Sequence, residues 1–233
     1  MVLGIYGASG LGMEYFSLAN YINEQNALLT KLYFKETDLR WTEIIFVDDD
    51  PEKNGTTLID LPVLSFQSAV EKYGKDGIEF IIAIGEPNVK DIVFKKLLDS
   101  GCEVTNILNP DAIKPASFTC GKGLLWHRGS GFPPAATFGN NILVQGGCIM
   151  GHGIKVGDNV VLSSHSFIGG DSIIGKNTYV GPGALLRNGI TIGENVVIGM
   201  GSVVVKDVPD NVVVCGNPAR ILRTNDKGRV FSK

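Results

Sequence analysis

From Trp126 to Val204 every sixth residue is large and apolar: Trp126, Phe132, Phe138, Val144, Met150, Val156, Leu162, Ile168, Ile174, Val180, Leu186, Ile192, Ile198 and Val204. An α-helix brings a face round every 3.6 residues and a strand every second residue, so a sustained period of six is neither. It fits a parallel β-helix whose short strands meet at corners. Three hexapeptides complete one triangular coil, and residues 18 apart stack. Glycine follows the apolar residue directly in Phe138-Gly139, Met150-Gly151, Val156-Gly157, Ile168-Gly169, Ile174-Gly175, Val180-Gly181, Ile192-Gly193 and Ile198-Gly199, where it is expected to supply the sharp corner. Four residues after the apolar position comes a small or β-branched side chain (Ser166, Ser172, Thr178, Ala184, Val196, Ser202), expected near the axis of the prism.

The residues before this run follow a different rule. Val2 to Tyr6 is a short apolar strand ending in Gly7-Ala8-Ser9-Gly10-Leu11-Gly12, followed by a helical pattern through Met13, Phe16, Leu18, Ala19 and Ile22. Thr42 to Val47 is a second buried strand, closed by Asp48-Asp49-Asp50-Pro51. Phe80 to Ile84 is a third, ending in Gly85 and leading into a helix through Val89, Ile92, Val93, Leu97 and Leu98. Val104 to Leu108 closes the series. Strands alternating with helices predict an α/β, Rossmann-like domain over 1–110, with ligands outside the carboxyl ends of its strands. An all-β, left-handed parallel β-helix with a C-terminal tail is predicted over 111–233. Charge divides at the same place, with 17 acidic and 9 basic side chains in 1–110 against 7 and 12 in 111–233. The segment from Asn26 to Arg40 is longer than a strand connection needs and has no evident role.

Several classes of protein are excluded. No run of 18 apolar residues is present to span a membrane, and the N-terminus enters a strand with no basic region or cleavage site. Cys102, Cys120, Cys148 and Cys215 form no CxxC pair and read as free thiols of a reducing compartment. A net charge of −3 argues against general nucleic-acid binding. GASGLG lacks the GxGxxG spacing, and Asp48 lies further on than the roughly 20 residues of a nicotinamide dinucleotide site, which argues against a dehydrogenase.

GASGxG at Gly7–Gly12, FVDDDPEKNG at Phe46–Gly55, AIGEPN at Ala83–Asn88, the repeat region, and CGNPAR at Cys215–Arg220 together resemble one group. These are the bacterial nucleotide-sugar acetyltransferases related to the sialic acid O-acetyltransferase and to the N-acetyltransferases of 4-amino-4,6-dideoxysugars. The resemblance spans the chain apart from the insertion after Asn26 and the tail after Leu222. It implies a cytoplasmic homotrimer of glycan biosynthesis that uses acetyl-CoA, with the co-substrate in a groove between neighbouring subunits. Nucleotide-sugar contacts carry over to Ser9, Gly10, Asp48, Asp49 and Gly85. Such residues suit the task, because glycine lets backbone amides approach an anion and a carboxylate accepts bonds from a base or ribose hydroxyl. Contacts to acetyl-CoA carry over to the amides near Gly170 and to Val161, Pro182 and Met200. The general base carries over to His152, in Met150-Gly151-His152. The chain departs from the group in three places: Leu11 stands where a histidine is usual, Gly153 where an acid often follows the catalytic histidine, and Val161 where a second histidine is often found.

Two other histidines compete with His152. His165, in Ser164-His165-Ser166, reads as a surface side chain, a subunit contact or a second polar group in the groove, and His127 as structural. A zinc site shared between subunits, as in β-helical carbonic anhydrases, needs histidines in register. His127, His152 and His165 are not separated by whole coils and do not fall in one column, so no metal is expected. A neutral imidazole, with an ordinary pKa of about 6.5, suits proton removal from an attacking amine, and a hydroxyl asks for a better oriented base. The reading is therefore acetyl transfer to the amino group of a nucleotide-linked sugar. A sugar or sialic acid O-acetyltransferase is the alternative, and a non-catalytic scaffold on the same architecture is a third.

Overall fold

A computed structural model describes residues 1–33, 40–110 and 114–231. The chain forms two compact units: Met1–Ile84 with Val93–Ile107, and Gly85–Ile92 with Leu108–Lys233.

In chain order the elements up to residue 104 are β1 (Val2–Tyr6), α1 (Gly10–Tyr33), β2 (Glu43–Val47), β3 (Thr57–Leu58), β4 (Leu61–Leu64), α2 (Phe66–Tyr73), β5 (Ile78–Ile82), α3 (Pro87–Asp99) and β6 (Glu103–Val104). The sheet order is β3-β4-β2-β1-β5-β6, parallel throughout except for β3 against β4. The apolar residues of β1 and β2 are buried almost without interruption, as a parallel sheet covered on both faces requires. The chain steps outward from β1 through β2 to β4, then crosses to β5 on the other side. The topological switch point therefore lies between the ends of β1 and β5, the place where such sheets bind ligands. Part of the Asn26–Arg40 segment prolongs α1 to Tyr33, and 34–39 fall outside the described residues.

Two expectations need correction here. In α3 the buried residues include Lys90, Val93, Phe94 and Leu97, whereas Val89, Ile92 and Leu98 are exposed. The inward stripe of this helix begins at Lys90, so an apolar pattern alone centres it wrongly. Val104–Leu108 is also not one strand. Thr105 N still donates to Phe80 O (2.9 Å) in the sheet, but Asn109 N donates to Trp126 O (3.0 Å) in the β-helix.

The second unit is the left-handed parallel β-helix that the spacing predicts. Two-residue strands pair in parallel one coil apart, as in Phe138↔Val156, Val144↔Leu162 and Ile168↔Leu186, and build three faces. Every member of the six-residue column is buried except Met150, which is half-buried. Ser166, Ser172, Thr178, Ala184, Val196 and Ser202 are fully buried beside it. The glycine after the apolar residue does not supply the corner, however. Gly151, Gly157 and Gly169 have ordinary φ, and a Cβ on any of them would collide with the backbone of the following coil. The left-handed corner comes two residues later, at Gly153, Asn159, His165, Asp171 and Asn177, with φ between 56° and 67°.

One column of these corners is asparagine. Asn141, Asn159, Asn177 and Asn195 each pass an amide hydrogen to the carbonyl oxygen of the next, ending at Asn211, at 2.8, 3.0, 3.3 and 3.0 Å. Asparagine tolerates left-handed backbone, and stacking lets each side chain satisfy its neighbour. Lys90 closes this ladder: its Nζ donates to Asn141 Oδ1 (3.0 Å), and Asn141 Nδ2 donates to the Lys90 carbonyl (2.9 Å). Burial lowers the Lys90 ammonium pKa to about 7. Past Val204 the offset shortens, and an antiparallel hairpin, Val212–Gly216 with Ala219–Thr224, closes the end of the prism.

Candidate active site

Met150 points into the prism, and Gly151 leaves room for the next coil. His152 therefore falls on an outer edge, immediately before the left-handed corner at Gly153. Its backbone is pinned on both sides: Gly153 N donates to Pro134 O (3.0 Å), and Asp171 N donates to His152 O (2.8 Å). The imidazole is 67% exposed, with Nδ1 3.4 Å from Asp171 Oδ1. It lies over Gly170, where a Cβ would come within 3.2 Å of Nε2. His165 occupies a different corner, with φ 59°, and its ring leans over Gly147. His127 is half-buried in the early coils, where its backbone N–H donates to Val144 O (2.9 Å). Among the described residues no three His, Cys, Asp or Glu side chains converge as metal ligands.

The candidate acetyl-CoA residues fall into three places. Gly170 stacks below His152 on the edge that continues to Asn188, through Gly189 N donating to Gly170 O (2.9 Å). Pro182 and Met200 stack on a second edge, where Gly201 N donates to Pro182 O (2.9 Å), and Met200 is 76% exposed. Val161 lies on neither edge and is buried. The two edges border one face, built from Ile149–Met150, Phe167–Ile168, Leu185–Leu186 and Val203–Val204. Its outward column, Ile149, Phe167 and Leu185, is exposed and apolar.

In the first unit, GASGLG divides into glycines the fold requires and one it does not. A Cβ at Gly7, whose φ is 120°, would lie 2.5 Å from Ala83 O where β1 and β5 end, and one at Gly12 would collide with Gly7 O. Gly10 has open space on that side, and Ser9 and Gly10 are both exposed at the start of α1, where free amides favour anions. Asp48 accepts from Ala8 N (3.0 Å), Asp50 N (3.1 Å) and Lys53 Nζ (2.9 Å). Asp49 accepts from Phe66 N (2.9 Å), Tyr6 Oη and Lys96 Nζ. Burial raises the Asp49 pKa, but the hydrogen bonds from Lys96, Tyr6 and Phe66 N outweigh it and hold the carboxyl below its usual range. Beside these residues, Asp49, Ser65, Phe66, Gln67, Val70, Glu71, Lys96 and Ser100 line a cavity of about 530 Å³. Gly85 belongs to the second unit, where the Phe231 ring packs 3.7 Å from the place of a Cβ on it. Sequence reasoning missed one functional candidate, Asp171, which lies a full coil further along the chain than the histidine it approaches.

Comparison with known proteins agrees with this architecture. The PglD N-terminal domain family matches residues 2–97, and the bacterial transferase hexapeptide family matches residues 171–206. Among solved structures, the acetyltransferase domain of PglB from Neisseria gonorrhoeae, in complex with acetyl coenzyme A, superposes with a TM-score of 0.80. It is 24% identical over 95% of this chain and 98% of that one. A GDP-perosamine N-acetyl transferase from Caulobacter crescentus, in complex with CoA and GDP-perosamine, gives 0.80 at 24% identity over 95% and 96%. WeeI from Acinetobacter baumannii gives 0.77 at 28% over 95% and 100%. The resemblance carried by the sequence motifs thus holds for the fold and for the order of both domains.

Proposed function

We propose, from a chain with the two-domain architecture of the nucleotide-sugar acetyltransferases, that the protein moves an acetyl group from acetyl-CoA to the amine of a nucleotide-linked sugar. The observation that carries acetyl transfer is the exposed His152 imidazole beside the Asp171 carboxylate, on an edge of an apolar face, and the amine as acceptor is supported by the fold shared with a GDP-perosamine N-acetyl transferase. In the reaction the acceptor nitrogen attacks the thioester carbonyl and His152 Nε2 takes a proton from it. The tetrahedral intermediate then collapses with loss of the CoA thiolate. Exposure of the base supports an assembly in which a second copy covers it. Packing the Ile149–Phe167–Leu185 face against other copies brings the His152–Gly170 edge of one subunit toward the Pro182–Met200 edge of another, as a homotrimer does. The acceptor nucleotide is assigned to Ser9, Gly10, Asp48 and Asp49, where the open approach at Gly10 supports a phosphate contact.

A thiol-release assay with acetyl-CoA and a panel of UDP-, dTDP- and GDP-linked amino sugars tests this directly. Turnover with an amine acceptor is expected. Turnover only with hydroxyl sugars replaces the N-acetyl reading by the O-acetyl one, and no turnover with any acceptor sinks both. Sedimentation is expected to give a trimer, and a stable monomer at micromolar concentration contradicts the shared groove.

A further inference from the structure

We infer that Asp171, one coil below His152, is the residue that positions the catalytic imidazole. In this role it accepts the Nδ1 hydrogen so that Nε2 stays free to take the acceptor's proton. The inference rests on the reading of His152 as the base and deepens it. Asp171 sits at a left-handed corner with φ 60°, in a column whose other members include Ala135, Gly153 and Gly189. A side chain at such a corner can lie over the corner one coil earlier, as His165 does over Gly147 on its own edge. For Asp171 that earlier corner is Gly153. A Cβ there would overlap Asp171 Oδ1, so the carboxylate takes its place beside the imidazole over a corner that carries no side chain. The absence of an acid directly after His152 and the presence of one at the same corner of the next coil are two sides of one packing arrangement. Gly170 completes it, since a Cβ at that position would press on Nε2.

The carboxylate has no other purpose in view. Among the described residues it makes no further hydrogen bond or ion pair, whereas the corner asparagines are all paired along their ladder. The separation of 3.4 Å is a few tenths of an ångström longer than a hydrogen bond, and in the proposed role the imidazole turns to close it. The proton taken by Nε2 remains on the imidazole until it leaves to solvent or thiolate.

The test uses the full chain with Asp171→Gly and Asp171→Asn. Gly already occupies this corner at positions 153 and 189, so Asp171→Gly is expected to keep or raise the thermal midpoint. Turnover is expected to fall about 10–100-fold, the scale of a misplaced catalytic group, with the KM for acetyl-CoA unchanged. Nitrogen-15 NMR of the His152 ring is expected to show the Nδ1–H tautomer dominant in the parent and a mixture in Asp171→Gly. Asp171→Asn keeps shape and backbone and is expected to lose turnover as well. Parent-like turnover in both variants, or an unchanged tautomer ratio, overturns the proposal. The tautomer measurement needs no acceptor, so it stands even if the acetyl-transfer reading fails.

Discussion

In the β-helix a side chain's surroundings recur once per coil, whereas in the α/β unit each environment occurs once. The carboxylates show the difference. Asp158 Oδ1 receives the backbone N–H of Asn140, in the same phase of the preceding coil, and Asp210 Oδ1 that of Glu194, across the shortened last coil. Asp49 is held by Tyr6, Phe66 and Lys96, which come from three different elements far apart in the chain. A periodic backbone lets local sequence dictate which way a side chain points. A wound sheet leaves that to crossovers that bring distant segments together. The repeat is therefore suited to holding chemistry at a fixed edge, and the α/β unit to shaping a pocket from several loops.

Dividing the labour between the two units is the sharpest test of that contrast. His152→Ala in the β-helix is expected to lower kcat about 10²–10⁴-fold, the usual contribution of a positioned base, with little change in acetyl-CoA affinity. Asp48→Asn in the α/β unit is expected to act mainly on the KM for the nucleotide sugar, and steady-state kinetics of both variants separates the two effects. His165→Ala is the control. If it abolishes turnover while His152→Ala does not, the base is misassigned.

The same contrast extends to glycine. Gly151→Ala forces a Cβ into the Gly170 backbone one coil away and is expected to destabilise by about 2–4 kcal/mol in denaturant unfolding. Gly10→Ala meets no atom within 4 Å and is expected to leave stability within about 0.5 kcal/mol while weakening nucleotide-sugar binding.

Lys90, at the head of the asparagine ladder, makes stability depend on pH. Its folded pKa of about 7 lies below the unfolded value near 10.5, so between these limits the unfolded state binds more protons. Its contribution is unfavourable at and below neutral pH, and stability recovers as pH rises toward 10.5. Lys90→Met is expected to stabilise by about 1–4 kcal/mol at pH 6–7 and to lose that gain near pH 10, read by urea unfolding at both pH values. A gain independent of pH would place the effect in packing instead of charge. The smallest effect is expected at Lys176–Glu194, an exposed 3.2 Å pair on the prism surface. There Lys176→Ala should change stability by less than about 1 kcal/mol.

Much of the repeat was legible from residue order. The inward column, the buried small residues and the outward setting of His152 all follow from counting by six. The role of glycine was not, because spacing cannot separate a residue chosen for its φ from one chosen for clearance to the next coil. In the α/β half the strands and the GASGLG turn were legible, while the buried face of α3 was misread. A lysine such as Lys90 looks like solvent-facing sequence until its neighbours are known. The edges followed the same pattern. Pro182 and Met200 could be assigned to one edge and His152 to another by position, but the burial of Val161 could not be foreseen.

The sequence by itself determined the period, the coil, the order of the two domains and the histidine on offer, because in a repeat each residue's direction is set by its phase. Only the tertiary structure decided which acid meets that histidine. Asp171 approaches His152 through the stacking of one coil on the next, over a corner where residue 153 has no side chain. Contacts along the prism axis depend on the clearance between coils to within a fraction of an ångström, and a linear pattern carries no measure of that distance.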